Sequence, residues 1–187
     1  MSAPMPQRSR NRGMLIAIIV IFLGSFIVAG ALRFSGWRPQ GLKNKGELLQ
    51  PAGDLREARP LLTDGVEYEW KPVERTWRIA LAPPQGCTVE CVELAREIAL
   101  VWQLFGREAG RVHVLWIGTP PAGAMKLQTQ RLLQPSPSLR AGLPRVDDAK
   151  GVPVYVIDPN GFVILRYAPG FDPADLRTDM ARLLKLR

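Results

Sequence analysis

The stretch TWRIALAPPQGCTVECVELAREIALVWQLFG, residues 76–106, predicts a strand, a loop and a helix in succession. Residues 77–81 read as a strand, and a loop rich in proline and glycine follows them. After Cys87, apolar residues recur at helical spacing, at Cys91, Leu94, Ala95, Ile98, Val101, Trp102 and Phe105. The chain has two cysteines, Cys87 and Cys91, and both lie at this strand–helix junction.

The sequence that follows predicts alternating strands and helices. RVHVLWIG is apolar on both faces, which predicts a central strand over residues 111–117. A helix is predicted over about residues 122–133, and a loop rich in proline and serine over residues 134–150.

The C-terminal part predicts a hairpin and a last helix. VPVYVI (152–157) and FVILRY (162–167) predict two strands joined by a tight turn at residues 158–161. Asp172 can cap a helix that starts with Pro173. The predicted fold class is therefore α/β, with the order β-α-β-α-β-β-α from residue 77. This is the order of a thioredoxin-like domain, whose active cysteines lie between the first core strand and the first helix.

The N-terminal region predicts a membrane anchor. Residues 14–32 carry no charge, and at about 1.5 Å per residue they nearly cross a hydrocarbon core of about 30 Å. A cleaved signal peptide is the alternative, because Ala29-Gly30-Ala31 resembles a cleavage site, but its apolar region would be long. We favour a single uncleaved transmembrane helix in contact with membrane lipid, with a basic cytoplasmic segment at residues 1–13.

The remainder is divided into a linker at residues 33–60 and a thioredoxin-like domain at residues 61–187. Repeated glycine and proline indicate the linker, and Asp64-Gly65 predicts a small hairpin at the start of the domain. In a bacterium the anchor belongs to the inner membrane and the domain to the periplasm, where paired cysteines can be oxidised.

Composition excludes some classes of function. The net charge is +8, but no basic run is interleaved with aromatic residues, so no nucleic-acid partner is expected. His113 is the single histidine of the chain, which excludes a histidine-rich metal site.

The cysteine spacing favours redox or metal chemistry over an inert pair. Residues four apart lie on one face of a helix, and the helix N-terminus stabilises a thiolate at Cys87. Two thiolates also suit Cu(I), a metal that prefers sulfur. A structural bridge over such a short loop would contribute little stability.

The chain resembles the Sco/SenC family of membrane-anchored, thioredoxin-like proteins that assist copper-site assembly in cytochrome c oxidase. The resemblance rests on the anchor, on Cys87-x-x-x-Cys91 and on VYVIDPNGFVILRYAPGFDPADLRTDMARLL, and it loosely covers residues 46–186. It implies an oxidase subunit or an assembly factor as partner.

Part of the family pattern is missing. The resemblance implies a third copper ligand, a histidine within an Asp-His pair, where this chain has Ala149 and Lys150. Lys150 is a poor copper ligand because its ammonium has no lone pair to offer. His113 and Met125 are weak substitutes, since His113 reads as a core residue of a strand and no spacing supports Met125.

Val152-Pro153 is a further thioredoxin-like feature. In thioredoxin-like redox proteins a cis-proline at this place faces the cysteines, so we expect a cis bond at Pro153 and a part for it in catalysis. The alternative is a trans proline at the first residue of a strand.

Three functions remain open. The first is a thiol–disulfide oxidoreductase in which Cys87 attacks and Cys91 resolves the mixed disulfide. The second is a Cu(I) chaperone with Cys87 and Cys91 as metal ligands. The third is a non-enzymatic assembly or scaffold protein that retains the fold.

Overall fold

The computed structural model describes residues 7–35 and 43–186, with side chains from residue 12. The chain divides into two units, residues 1–43 and residues 44–187. The predictions for residues 1–6 and for the linker residues 36–42 lie outside the described residues.

The first unit contains one long helix, α1, over Gln7–Phe34. Its segment Arg12–Phe34 is apolar enough to cross a membrane by length and composition. The predicted span of residues 14–32 lies within this helix, and its apolar side chains are exposed within the unit.

The second unit is built on one mixed sheet of six strands. The strands are β1 (Glu47–Asp54), β2 (Trp77–Leu81), β3 (Val112–Ile117), β4 (Gln130–Leu133), β5 (Val154–Ile157) and β6 (Phe162–Tyr167). Their order across the sheet is β1-β6-β5-β2-β3-β4. β2, β3 and β4 run parallel, whereas β5 is antiparallel to β2 and to β6, and β1 is antiparallel to β6. The predicted α/β thioredoxin-like architecture is confirmed.

The helices of this unit are α2 (Val89–Gln103), α3 (Pro137–Ala141) and α4 (Pro173–Leu183), with 3₁₀ turns at Pro72–Glu74 and Gly106–Arg111. Both α2 and α4 lie against the same face of the sheet and complete its larger core. Asp172 caps α4 as predicted, because its carboxylate accepts a hydrogen bond of 2.8 Å from the Ala174 N–H.

Every residue of β2 is buried because both faces of the sheet are covered. Ile79 and Leu81 point into the core shared with α2 and α4. Ala80 and Ala82 point into a second core, which contains Leu139 of α3. The alternation follows from the two-residue period of a strand, and it fixes β2 as the centre of the domain.

The helix predicted over residues 122–133 is wrong. Residues 130–133 form β4 instead, paired in parallel with residues 114–117 of β3. One cause is visible at its start, where Gly123 has a φ of +88°, outside the range of a right-handed helix. The sheet edge offers β4 backbone partners that a surface helix would not use. The predicted loop at residues 134–150 contains α3, which Ser136 caps by accepting from the Leu139 N–H at 3.2 Å.

The structure also differs from the predicted linker of residues 33–60. Residues 44–54 belong to the domain, because β1 pairs with β6 and buries Leu49. The predicted hairpin at Asp64-Gly65 is present in short form, with a bridge between Leu61 and Glu67.

A buried carboxylate fastens the start of this unit to α4. One oxygen of Asp179 accepts hydrogen bonds from the Lys45 N–H at 2.7 Å, the Gly46 N–H at 2.8 Å and the Tyr167 hydroxyl at 2.8 Å. Gly46 lies so close to the Tyr167 ring that a Cβ there would stand 2.6 Å from it. Burial and the carboxylate raise the pKa of Tyr167 well above its usual range.

Replacing Asp179 tests how much this attachment contributes. Asp179→Ala leaves three donors without their acceptor, two of them buried, so we expect a loss of about 3 kcal/mol in the free energy of unfolding. Asp175→Ala, on the same helix, removes only an exposed 3.6 Å ion pair with Lys45 and should cost less than about 1 kcal/mol. Urea denaturation measures both, and equal losses would contradict a dominant role of Asp179.

Candidate functional site

The loop between β2 and α2 brings the two cysteines together. Cys87 and Cys91 form a disulfide, with Cα atoms 5.8 Å apart. Helix α2 begins at Val89 after the N-cap Thr88, so Cys87 lies just before the helix and Cys91 in its first turn. The predicted position at the strand–helix junction is thus the observed one.

The two sulfurs have different surroundings. Cys91 is fully buried in the core beneath α2, with an exposed fraction of 0%. Cys87 is half-buried at the edge of that core and lines a groove. A reagent from outside therefore meets Cys87 first, with Cys91 as the leaving sulfur.

The groove at Cys87 has a volume of about 650 Å³. One wall is the loop from Pro84 to the first residues of α2, and the other wall is formed by residues 146–149 with Gly151 and Val152. The charged residues that line it are all acidic: Glu90, Asp147 and Asp148. Two of these carboxylates are paired with arginines, Asp147 with Arg140 and Asp148 with Arg166.

Buried Arg166 holds the second wall in place. Its side chain is 2% exposed, and its guanidinium forms an ion pair with Asp148 and lies 3.7 Å from Glu47. Glu47 also pairs with Arg145 at 2.5 Å, so β1 and β6 together fasten the wall segment. The Lys150 N–H, at 3.0 Å, and the Arg166 guanidinium lower the pKa of Asp148.

Sequence reasoning missed Arg166 and Glu47 as supports of the site. The available signal was Arg166 itself, a charged residue within the apolar strand FVILRY. A buried charge requires partners, which indicates nearby carboxylates. The sequence alone does not reveal which carboxylates these are, because they come from β1 and from the wall segment.

The adjacent residues Asp147 and Asp148 provide a matched test of this support. Asp148→Ala removes the close partner of a buried guanidinium, whereas Asp147 is 81% exposed and pairs with Arg140 at the surface. We expect Asp148→Ala to lower the urea midpoint several-fold more than Asp147→Ala, because an unpaired buried charge is costly. If the two variants unfold at the same midpoint, Arg166 does not depend on Asp148.

The structure places the segment around Lys150 opposite the cysteines. Ala149 lines the groove, while Lys150 is exposed and bonds through its backbone N–H to Asp148. Among the described residues, no group of three or more His, Cys, Asp or Glu side chains is arranged to hold a metal ion. Met125 is an exposed residue of the loop between β3 and β4, and the groove at Cys87 is lined by other residues.

The cis bond expected at Pro153 is wrong. Val152-Pro153 is trans, and the cis bond within the described part of the chain is Gln50-Pro51. The turn into β5 is made instead by Gly151, with a φ of +133°, so no cis bond is needed there. Pro153 is buried just ahead of β5, while its neighbours Gly151 and Val152 line the groove.

His113 lies at the other end of the sheet from the cysteines. It pairs with Arg78 at the start of β2, whereas the cysteines follow the end of β2. Its Nδ1 is 2.8 Å from the Tyr68 hydroxyl. Burial, helped by the charges of Arg131 and Arg78, lowers the pKa of His113 to about 4. His113 is therefore a half-buried residue with a hydrogen-bond partner, distant from the cysteines.

The lowered pKa makes stability depend on pH. Between pH 6.5 and about 4 the unfolded chain binds more protons at His113 than the folded chain, so acidification through this range destabilises the fold. The contribution of neutral His113 is complete above pH 6.5 and is lost towards pH 4. We expect His113→Gln to show a shallower fall of the urea midpoint between pH 7 and 4.5 than the unaltered chain. If the urea midpoint falls equally with pH in both proteins, the loss of stability in acid comes from other groups.

Comparison with known proteins agrees with this geometry. Residues 77–187 match a family model described as transmembrane-like, thioredoxin-like, C-terminal domain. The chain belongs to this family. No curated protein matches the chain.

Several solved structures share the fold. BsSco, a member of the Sco family of cytochrome c oxidase assembly proteins in which a disulfide switch was identified, has a TM-score of 0.54 and 12% identity over 76% of this chain and 98% of its own. Yeast Sco1 with copper bound has a TM-score of 0.54 and 15% identity over 69% of this chain and 90% of its own. A SCO1/SenC family lipoprotein from Bacillus anthracis str. Ames has a TM-score of 0.52 and 18% identity over 73% of this chain and 99% of its own. The resemblance to Sco/SenC proteins expected from the sequence is thus present in the fold.

Proposed function

We propose that the chain is a membrane-anchored thiol–disulfide exchange protein of cytochrome c oxidase biogenesis. In this proposal α1 holds it in a bacterial inner membrane, and the domain works in the periplasm on an oxidase subunit or an assembly factor. The observation that carries the proposal is the disulfide between groove-lining Cys87 and buried Cys91 at the strand–helix junction. The fold shared with BsSco and yeast Sco1 supports oxidase assembly as the setting.

The exchange proceeds through Cys87. A thiolate of the partner attacks Cys87 Sγ, the Cys87–Cys91 bond breaks, and Cys91 leaves as a thiolate that takes up a proton. A second partner thiolate then attacks the partner's own sulfur in the mixed disulfide, and Cys87 leaves as a thiolate. The partner is thereby oxidised to a disulfide and the chain is reduced to the dithiol. In the opposite direction, thiolate Cys87 attacks a partner disulfide and Cys91 resolves the mixed disulfide.

The local structure favours this division of roles. Free N–H groups at the start of α2 and the helix dipole stabilise a Cys87 thiolate, which lowers the barrier when Cys87 attacks or leaves. Burial keeps Cys91 away from external thiols, so it reacts only with the sulfur beside it.

A Cu(I) chaperone using Cys87 and Cys91 is the second candidate. It is supported by the fold shared with copper-bound yeast Sco1 and by the preference of Cu(I) for thiolates. The reduced pair would supply two ligands, and a third would come from elsewhere in the chain or from the partner.

Single cysteine variants test the exchange mechanism. We expect Cys91→Ser to form a mixed disulfide with oxidised glutathione through Cys87 at least ten-fold faster than Cys87→Ser does through buried Cys91, because access and thiolate character both favour Cys87. Mass spectrometry of the quenched full chain in detergent measures both rates. Equal rates would contradict the proposed roles.

The same protein distinguishes the second candidate. Anaerobic titration of the reduced full chain with Cu(I) against a strong chelator reports metal binding directly. Copper transfer would replace thiol–disulfide exchange as the proposed function on two results together. The first is tight stoichiometric Cu(I) binding that both single variants lose, and the second is the absence of reversible disulfide formation in glutathione buffers.

A further inference from the structure

The end of α2 far from the cysteines forms a groove with α4. Buried Phe105 and Leu184 contribute to its lining, and exposed Leu104 lies at its rim. Arg111, Arg177 and Lys185 also line it. The groove has a volume of about 560 Å³, and we refer to this surface as the α2/α4 face.

The α2/α4 face has an excess of positive charge. The acidic residue in its lining is Glu108, which pairs with Arg111 at 2.6 Å. Arg177 lies in α4 and Lys185 follows two residues after its end, and both are exposed. The acidic residues of α2 lie towards its cysteine end, at Glu90, Glu93 and Glu97. These acidic residues do not line the α2/α4 face.

Large apolar side chains accompany these cations. Leu104 is 61% exposed, and Leu100, one turn earlier on α2, is also exposed. Leu186, just after α4, is exposed as well. Protein surfaces that lie at a membrane interface typically combine leucine with Arg and Lys. The cations contact the lipid headgroups and the leucines enter the boundary of the acyl chains.

The chain enters the domain beside α4. The domain starts at residues 44–46, where Asp179 of α4 holds the backbone of Lys45 and Gly46. The extended chain between Phe34, the end of α1, and Asn44 spans at most about 35 Å. Arg177 and Ala181 lie on the same helix as this attachment point, and Lys185 follows just after its end.

We infer that the α2/α4 face rests on the anionic lipid surface of the membrane that α1 spans. This inference rests on the membrane anchor and is independent of the cysteine chemistry. Helix α2 is about 22 Å long, so docking by its C-terminal end leaves the cysteine groove facing away from the lipid. The groove would then be open to a partner domain that projects from the membrane into the aqueous phase.

Hydrogen exchange of the full chain in nanodiscs tests the inference. We expect backbone amides of residues 100–111 and 177–186 to exchange at least three-fold more slowly in phosphatidylcholine discs containing a quarter phosphatidylglycerol than in pure phosphatidylcholine discs. Salt at 1 M should remove the difference, because it screens interactions between exposed charges. One copy of the chain per disc excludes protection by a second copy.

Matched double variants locate the contact. Arg177→Ala with Lys185→Ala should abolish the lipid-dependent protection. Lys126→Ala with Lys150→Ala removes the same charge from exposed loops outside the α2/α4 face and should retain it. Exchange in the central strands reports that each variant is folded.

Two results would overturn the inference. One is equal exchange of the α2/α4 face in both lipid compositions, and the other is equal loss of protection in both double variants. Neither result depends on Cys87 or Cys91, so a failure here is distinguishable from a failure of the exchange mechanism, which the glutathione rates report.

Discussion

The burial of β2 on both faces is the constraint on which the rest of the domain depends. α2 and α4 cover one face and α3 with its neighbouring segments covers the other, so β2 must lie in the middle of the sheet. The chain leaves such a strand at the carboxyl edge of the sheet and enters the loop that contains Cys87. The helix that follows must return over the same face to cover Ile79 and Leu81. That return buries Cys91 and leaves Cys87 at the edge, so the unequal surroundings of the two sulfurs follow from the packing of the core.

The central elements were predictable because their signals are local. β2, α2, β3, the hairpin of β5 and β6, and α4 each have an apolar period, a turn or a cap that a single sequence displays. β1 and β4 were missed because they are edge strands. Each is defined by the neighbour with which it pairs, and ELLQPAGD has no alternation that distinguishes it from a linker. The cis bond at Pro153 was expected from the fold alone, but the conformation of Gly151 makes the turn without it.

At the candidate site, too, features that are local in the sequence were predicted, and contacts between residues far apart in the sequence were not. Cys87 and Cys91 were identified from spacing and from their place between two predicted elements. The wall opposite them depends on Arg166, which links Asp148 with Glu47 across residues far apart in sequence. Arg78 behaves similarly at the other end of β2, where its guanidinium donates to the Tyr68 hydroxyl at 3.0 Å and to backbone carbonyls. An arginine inside an apolar strand indicates that its guanidinium has polar partners in the interior, but the tertiary fold determines which residues these are.

Thiol–disulfide exchange and Cu(I) binding require different oxidation states of the same two sulfurs. A disulfide uses both Sγ atoms in one covalent bond, whereas Cu(I) needs both as thiolates. Copper binding by this chain would therefore first require two-electron reduction of the disulfide, and a third ligand from beyond the Ala149–Lys150 segment. Oxidation of a partner dithiol instead starts from the disulfide as it stands at the edge of the groove, and it leaves the chain as a dithiol that must be reoxidised before the next cycle.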